Sequence, residues 1–205
     1  MSYYDYSGRY KNGEGSDAAA VGNDDVERAL AGEDPSPLDF WALLSPAAEN
    51  YLERAAEKAQ EITLRHFGRI IQLYAPIYVS DYCDNQCLYC SFNARNRGPR
   101  KKLTLEEVER EAAFMAEAGL CQILLLTGES KKESPLDYLR ECVRILRRYF
   151  SSIGIEIYPL AVEDYQLLIA DGVDGLTVYQ ETYDEEIYKS VHPTGPKRNF
   201  RFRLE

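Results

Sequence analysis

The sequence predicts an α/β protein: four βα units of a parallel sheet, the N-terminal half of a (β/α) barrel, preceded by a helical N-terminal extension. Three observations carry this reading. From Gly68 onward apolar runs of strand length alternate with helical patterns, the connections are short, and the chemically active residues fall where strands should end.

Residues 1–37 mix Gly, Ser, Ala and acidic residues without a sustained period, and read as a flexible acidic lead-in. Residues 38–68 read as a helical extension. Leu38, Phe40, Trp41, Leu43 and Leu44 form an apolar cluster, and Ser45-Pro46 reads as an N-cap followed by a first-turn proline. That helix should run to about Phe67 and stop at Gly68, with Tyr51, Leu52, Ala55, Ala59, Ile62 and Leu64 giving it an apolar face.

Residues 69–205 read as the partial barrel. Ile70 to Val79 is strand-like, and Thr104 to Ala118 is a helix with a capping box at Thr104 and Glu107 and Gly119 past its end. Gln122 to Leu126 is a second strand, and Ser134-Pro135 opens a helix reaching about Phe150. A third strand spans Ile155 to Leu160, a third helix Val162 to Asp171 and a fourth strand Leu176 to Gln180, after which Thr182 and Glu185 suit a helix start. Four units are half of an eight-stranded barrel. The chain is therefore expected to be part of a longer protein, with an open edge on strand four that invites pairing with a second copy.

A formal charge of -10 and a pI near 4.9 argue against nucleic acid as a partner, which would want a basic stripe. The five cysteines are an odd number with three packed into one loop, a poor disulfide framework that suggests a reducing compartment. Cys121, at a strand start, and Cys142, mid-helix, read as small buried core residues. No apolar stretch approaches the roughly 18 residues of a membrane span, and Met1 to Lys11 lacks an apolar signal core, so a cytoplasmic protein without a membrane partner is expected.

The most informative run is Tyr82-Cys-Asp-Asn-Gln-Cys-Leu-Tyr-Cys-Ser-Phe92, a CxxxCxxC loop directly after the first strand. Cys83, Cys87 and Cys90 can turn toward one metal centre. A closed zinc site needs four ligands and none of the right kind lies nearby, although a remote residue could complete a zinc knuckle. A four-iron cluster held by three thiolates keeps one iron open for a small molecule.

With Tyr89 before the last cysteine, this loop resembles that of the radical S-adenosylmethionine enzymes. Ala75-Pro-Ile-Tyr-Val-Ser80, Leu125-Leu-Thr-Gly-Glu129, Glu156-Ile-Tyr-Pro-Leu160 and Tyr179-Gln-Glu-Thr-Tyr183 narrow the resemblance to the 2-iminoacetate synthases, the tyrosine lyases of thiamine thiazole biosynthesis. The hydrogenase-maturation tyrosine lyases share the cysteine loop, the Gln-Glu-Thr-Tyr segment and a stretch like His192 to Lys197. The resemblance implies a 4Fe-4S cluster on Cys83, Cys87 and Cys90 whose open iron binds S-adenosylmethionine, and release of a deoxyadenosyl radical. It further implies cleavage of L-tyrosine to 2-iminoacetate (dehydroglycine) and p-cresol, a reductant such as flavodoxin or ferredoxin, and delivery to thiazole synthase. Rival readings are the hydrogenase-maturation activity and a catalytically silent iron-sulfur or zinc-binding fragment.

Beside the cysteines, Tyr89 and Phe92 could stack on adenine or be core. Thr127-Gly128-Glu129 matches the segment that binds the methionine amino group in the resemblance; glycine there permits close approach, and a solvated strand end is the plain alternative. Glu156, expected within a buried strand, needs either a cofactor contact or a basic partner. Gln180 and Glu181 are candidates for substrate or cofactor contacts, although a turn before a helix explains part of the same string. His66 reads as a surface residue, and His192 as a loop conformer or a lid residue.

Overall fold

A computed structural model describes residues 21–32 and 36–205. The chain divides into two compact units, Met1–Ile71 and Gln72–Glu205. The first holds α1 (Asn23–Ala31), α2 (Pro37–Leu43), a 3-10 turn (Pro46–Tyr51) and α3 (Leu52–Phe67). Helix α1 falls inside the stretch read as a lead-in, which corrects that reading for residues 23–31; residues 1–20 and 33–35 lie outside the described residues. Its apolar set is one narrow i, i+3, i+4 stripe of Val26, Ala29 and Leu30, buried with Ala42 and Ala48, and so few apolar residues are lost in an acidic composition. Ser36 caps α2 reciprocally with Asp39, and Pro37 occupies its first turn. The helix expected from Ser45-Pro46 starts as the 3-10 turn and ends at Gly68, whose φ of 64° favours glycine.

The second unit runs β1 (Tyr74–Ser80), α4 (Leu105–Glu117), β2 (Gln122–Thr127), α5 (Leu136–Leu146), β3 (Ser152–Glu156), α6 (Val162–Asp171), β4 (Gly175–Leu176), α7 (Glu185–Val191), a 3-10 turn (Pro196–Arg198) and α8 (Phe200–Leu204). The strands pair in parallel in the order β1-β2-β3-β4. Between sheet and helices lies one core, in which Ile77, Val79, Ile123, Leu125, Ile153 and Ile155 meet Val108, Ala112, Leu139, Val143, Leu146 and Leu168. Pro76 is tolerated because β1 is a sheet edge, where a missing N–H breaks no ladder.

Strand limits follow pairing more than hydrophobicity. Tyr74 lies opposite Gln122, the first residue of β2, so Ile70 and Ile71, expected in the strand, find no partner and stay 78% and 84% exposed. The ladder of β3 uses Ser152–Glu156, three residues earlier than expected; Ile157, Tyr158 and Leu160 are buried beyond it without pairing. Only Gly175 and Leu176 form β4, and Thr177 adds one bond to the Ile155 carbonyl before the chain turns irregular, in place of the strand expected to Gln180. The N-cap of α7 is Asp184 rather than Thr182, its carboxylate accepting from the Glu186 and Ile187 N–H groups at 2.9 Å each. Cys142 is buried as read from the sequence. Cys121 is exposed, contrary to that reading, because it precedes β2, outside the sheet ladder. Among the described residues no helix is long and apolar enough to cross a membrane.

Candidate metal and cofactor site

The C-terminal ends of β1, β2 and β3 and the segment after β4 open on one cavity of about 240 Å³. Of the residues singled out in the sequence, Cys83, Cys87, Cys90, Tyr89, Phe92, Thr127, Gly128, Glu129, Glu156 and Glu181 line it. Gln180 does not. Its side chain turns into the protein, 7% exposed, with neither amide atom hydrogen-bonded among the described residues.

The cysteine loop is strapped on two sides. Asp84 N–H donates to the Glu129 carbonyl at 2.8 Å, while Gln86 and Leu88 N–H groups donate to Thr194 and Val191 carbonyls at 3.1 Å each. At its base Arg100 donates to the carbonyls of Asp81 and Asn93, at 2.9 and 2.7 Å. Asn85 sits at the crossing point: its amide donates to Glu129 Oε2 at 2.7 Å and its carbonyl oxygen accepts from Lys197 N–H at 2.8 Å.

Two glycines make these crossings possible. A Cβ on Gly128 would lie 2.3 Å from the Tyr82 carbonyl oxygen, so this glycine permits the close approach of the protein's own backbone. A Cβ on Gly195, whose φ is 106°, would lie 2.3 Å from Asn85 Oδ1.

Around the cavity the charges are paired unevenly. Lys197 Nζ meets Glu181 Oε1 at 2.7 Å, and Arg203 Nη1 reaches Glu129 Oε2 at 3.8 Å. Burial by itself would raise the Glu181 carboxyl, but the Lys197 ammonium outweighs it and holds the group below the ordinary carboxylate range. Glu181 also adopts a left-handed φ of 62°, a strained conformation for a residue other than glycine. Glu156 ends β3 rather than lying within it and has no hydrogen bond or ion pair among the described residues; burial raises its carboxyl. Burial likewise pushes the Cys87 thiol up, with Cys83 and Cys90 close enough to act in the same direction.

His192 stands in the loop directly after α7 and is fully buried, and Tyr89 meets it at 2.6 Å. Asn85, Gly195, Lys197 and Arg203 were not read as site residues. The stretch His192 to Lys197 was visible as a distinctive loop, but nothing in it says that it wraps the cysteines 100 residues earlier in the chain.

A sequence profile of the Radical SAM superfamily matches residues 77–205. The chain belongs to that superfamily. It is 44% identical to 2-iminoacetate synthase of Salmonella typhimurium over 88% of its length and 48% of the relative's. It is 32% identical to 3-methylornithine synthase of Methanosarcina barkeri over 80% of its length and 48% of the relative's. Among solved structures, HydG, a maturase of the [FeFe]-hydrogenase, superposes with a TM-score of 0.82 at 28% identity, over 98% of this chain and 45% of that one. The chain thus spans about half the length of the curated relatives it matches, and the match to 2-iminoacetate synthase is to its N-terminal half. The superfamily and the 2-iminoacetate synthases use a 4Fe-4S cluster and S-adenosylmethionine.

The residues present fit such a cluster. Three soft thiols face one cavity, and among the described residues no three His, Cys, Asp or Glu side chains converge on one point as a single zinc ion requires. Thiols set around a cavity suit ligands to separate irons.

Proposed function

We propose that the chain carries the cluster-binding half of a radical S-adenosylmethionine carbon-carbon lyase that cleaves L-tyrosine to 2-iminoacetate and p-cresol for the thiazole moiety of thiamine. The observation that supports it best is the 44% identity to a 2-iminoacetate synthase, with all three cysteines of the loop opening on one cavity at the strand ends. The lower identity to the hydrogenase maturase, 28%, makes that activity the second reading.

In this proposal Cys83, Cys87 and Cys90 hold the cluster, which when bound with S-adenosylmethionine supplies a carbon-centred radical. Glu129, fixed by Asn85, presents a carboxylate to the cofactor's amino group at the end of β2, with Thr127 and Gly128 shaping the backbone around it. Glu156, without a protein partner among the described residues, is free to accept hydroxyl donors. Tyr89 and Phe92 line the wall on which adenine stacks. Glu181 and Lys197 form a fixed ion pair at the rim, and Gln180 acts behind it as a buried support. The protein is cytoplasmic, takes electrons from a flavodoxin or ferredoxin and passes its product to thiazole synthase. The open edge of β4 permits self-association.

Anaerobic reconstitution with iron and sulfide tests this. The chain should take up about four irons and four sulfides and, with a reductant, convert S-adenosylmethionine to 5′-deoxyadenosine. Binding of zinc in place of iron, or an iron-loaded chain that leaves S-adenosylmethionine intact, would overturn the reading.

A further inference from the structure

We infer that His192 is a positioning residue for the cysteine loop, acting through the Tyr89 hydroxyl. The inference rests on the proposal that Cys83, Cys87 and Cys90 bind the cluster. His192 follows α7 and is fully buried. Its Nδ1 lies 2.8 Å from the Tyr188 carbonyl oxygen, which can only accept, so Nδ1 carries a proton. Burial disfavours the charged ring, so the imidazole is neutral and Nε2 presents a lone pair. The Tyr89 hydroxyl at 2.6 Å therefore donates to Nε2. The ring itself is held between Tyr188, with centroids 4.1 Å apart, and Tyr89, edge-on at 5.5 Å. Glu181, paired with Lys197 through Oε1 at 2.7 Å, lies against the same hydroxyl and is a second acceptor for it.

Tyr89 lies between Cys87 and Cys90 and is 53% exposed, so packing alone does not fix it. Nearby, Cys90 N–H reaches only the Cys87 carbonyl, at a weak 3.4 Å. Beside the Leu88 N–H bond to the Val191 carbonyl, the hydroxyl bond is the side-chain tie between this turn and the end of α7. A buried acceptor with its tautomer set by a backbone carbonyl cannot rotate away, so the turn that carries two of the three thiols is held in shape before any metal arrives.

The test is a double-mutant cycle on the metal-free chain, reading alkylation rates of Cys87 and Cys90 by peptide mass mapping. His192→Ala and Tyr89→Phe should each raise those rates by roughly three- to tenfold, the factor expected for loss of one hydrogen bond. The double variant should be no faster than either single, and His192→Gln, which keeps an acceptor, should recover part of the protection. Effects that multiply, or a folded His192→Ala variant that reacts no faster, would overturn the inference. Should His192→Ala fail to fold, Tyr89→Phe removes only one oxygen and must still accelerate alkylation; an unchanged rate overturns the inference. The electron paramagnetic resonance spectrum of the reconstituted, reduced protein should shift in both single variants alike. Iron uptake by the unmodified chain tests the cluster reading separately, because the alkylation cycle needs no cluster.

Discussion

Two sets of carboxylates in the second unit face opposite tasks. On the helical layer, Asp171 of α6 is 10% exposed and fully engaged: Arg140 donates to Oδ2 at 2.6 Å and Arg144 to Oδ1 at 2.9 Å. At the strand ends, Glu129 shares one oxygen between Asn85 and a distant Arg203, Arg203 Nε has no hydrogen-bond partner among the described residues, and Glu156 has none either. The first set closes its valences to hold helices together. The second leaves valences open on a cavity, at an energetic cost that a structural role would not explain.

The largest expected effect breaks the comparison at the thiols. Cys83→Ala, Cys87→Ala or Cys90→Ala should each abolish the cluster absorption of the reconstituted protein, whereas Cys121→Ala and Cys142→Ala should keep about four irons per chain. A full cluster in any of the first three would misplace the site.

Next come the crossing glycines. Gly128→Ala and Gly195→Ala push a methyl group within 2.3 Å of Tyr82 O and Asn85 Oδ1, and should each cost about 1–3 kcal/mol in urea unfolding. Gly195→Ala adds strain at a φ of 106°. If either variant is as stable as the parent, the cysteine loop is not clamped as described.

These glycines also show what was legible in the sequence. Helix α4 was, because Thr104 and Glu107 form the reciprocal cap and signal its start locally. The cysteine loop was legible from spacing, and so was the placing of Glu129 at a strand end. The true limits of β3 and β4 were not, since the apolar run through Ile157 and Leu160 continues past the residues that β2 can pair. Helix α1 was masked by its acidic composition. Asn85 escaped, and His192 was noticed without its partner, because their contacts span about 100 residues of chain, for which a single sequence carries no periodic signal.

Of similar size but opposite location is Asp171→Asn, which should destabilise the fold by about 1–3 kcal/mol at neutral pH by removing a charged acceptor from two arginines. The Arg140 hydrogen bond holds the Asp171 carboxyl below its ordinary value. A depressed carboxyl contributes stability that is present above the unfolded pKa and lost as pH falls through the folded one. The gap between parent and variant should therefore be flat at about pH 5–7 and close below about pH 4. Glu129→Gln, by contrast, keeps an acceptor for Asn85 and should leave stability unchanged while weakening S-adenosylmethionine binding by about 1–3 kcal/mol in a calorimetric titration. Unchanged affinity would return Glu129 to a loop-bracing role.

The smallest effect carries the sharpest sign. Burial raises the Glu156 carboxyl, and no arginine or lysine closes on it as Arg140 and Arg144 close on Asp171. A carboxyl raised in the folded state is a burden above its unfolded pKa, a burden that is relieved on protonation. Glu156→Gln should therefore stabilise the metal-free chain at neutral pH, by roughly 0.5 kcal/mol after allowing for the solvent that still reaches the group. The advantage should vanish below about pH 4, where the parent carboxyl is neutral as well. Chemical unfolding at the two pH values decides it. A loss of more than about 1 kcal/mol at neutral pH would mean that Glu156 braces the fold as Asp171 does, and the contrast between closed and open carboxylates would fail at the residue where it is most exposed to test.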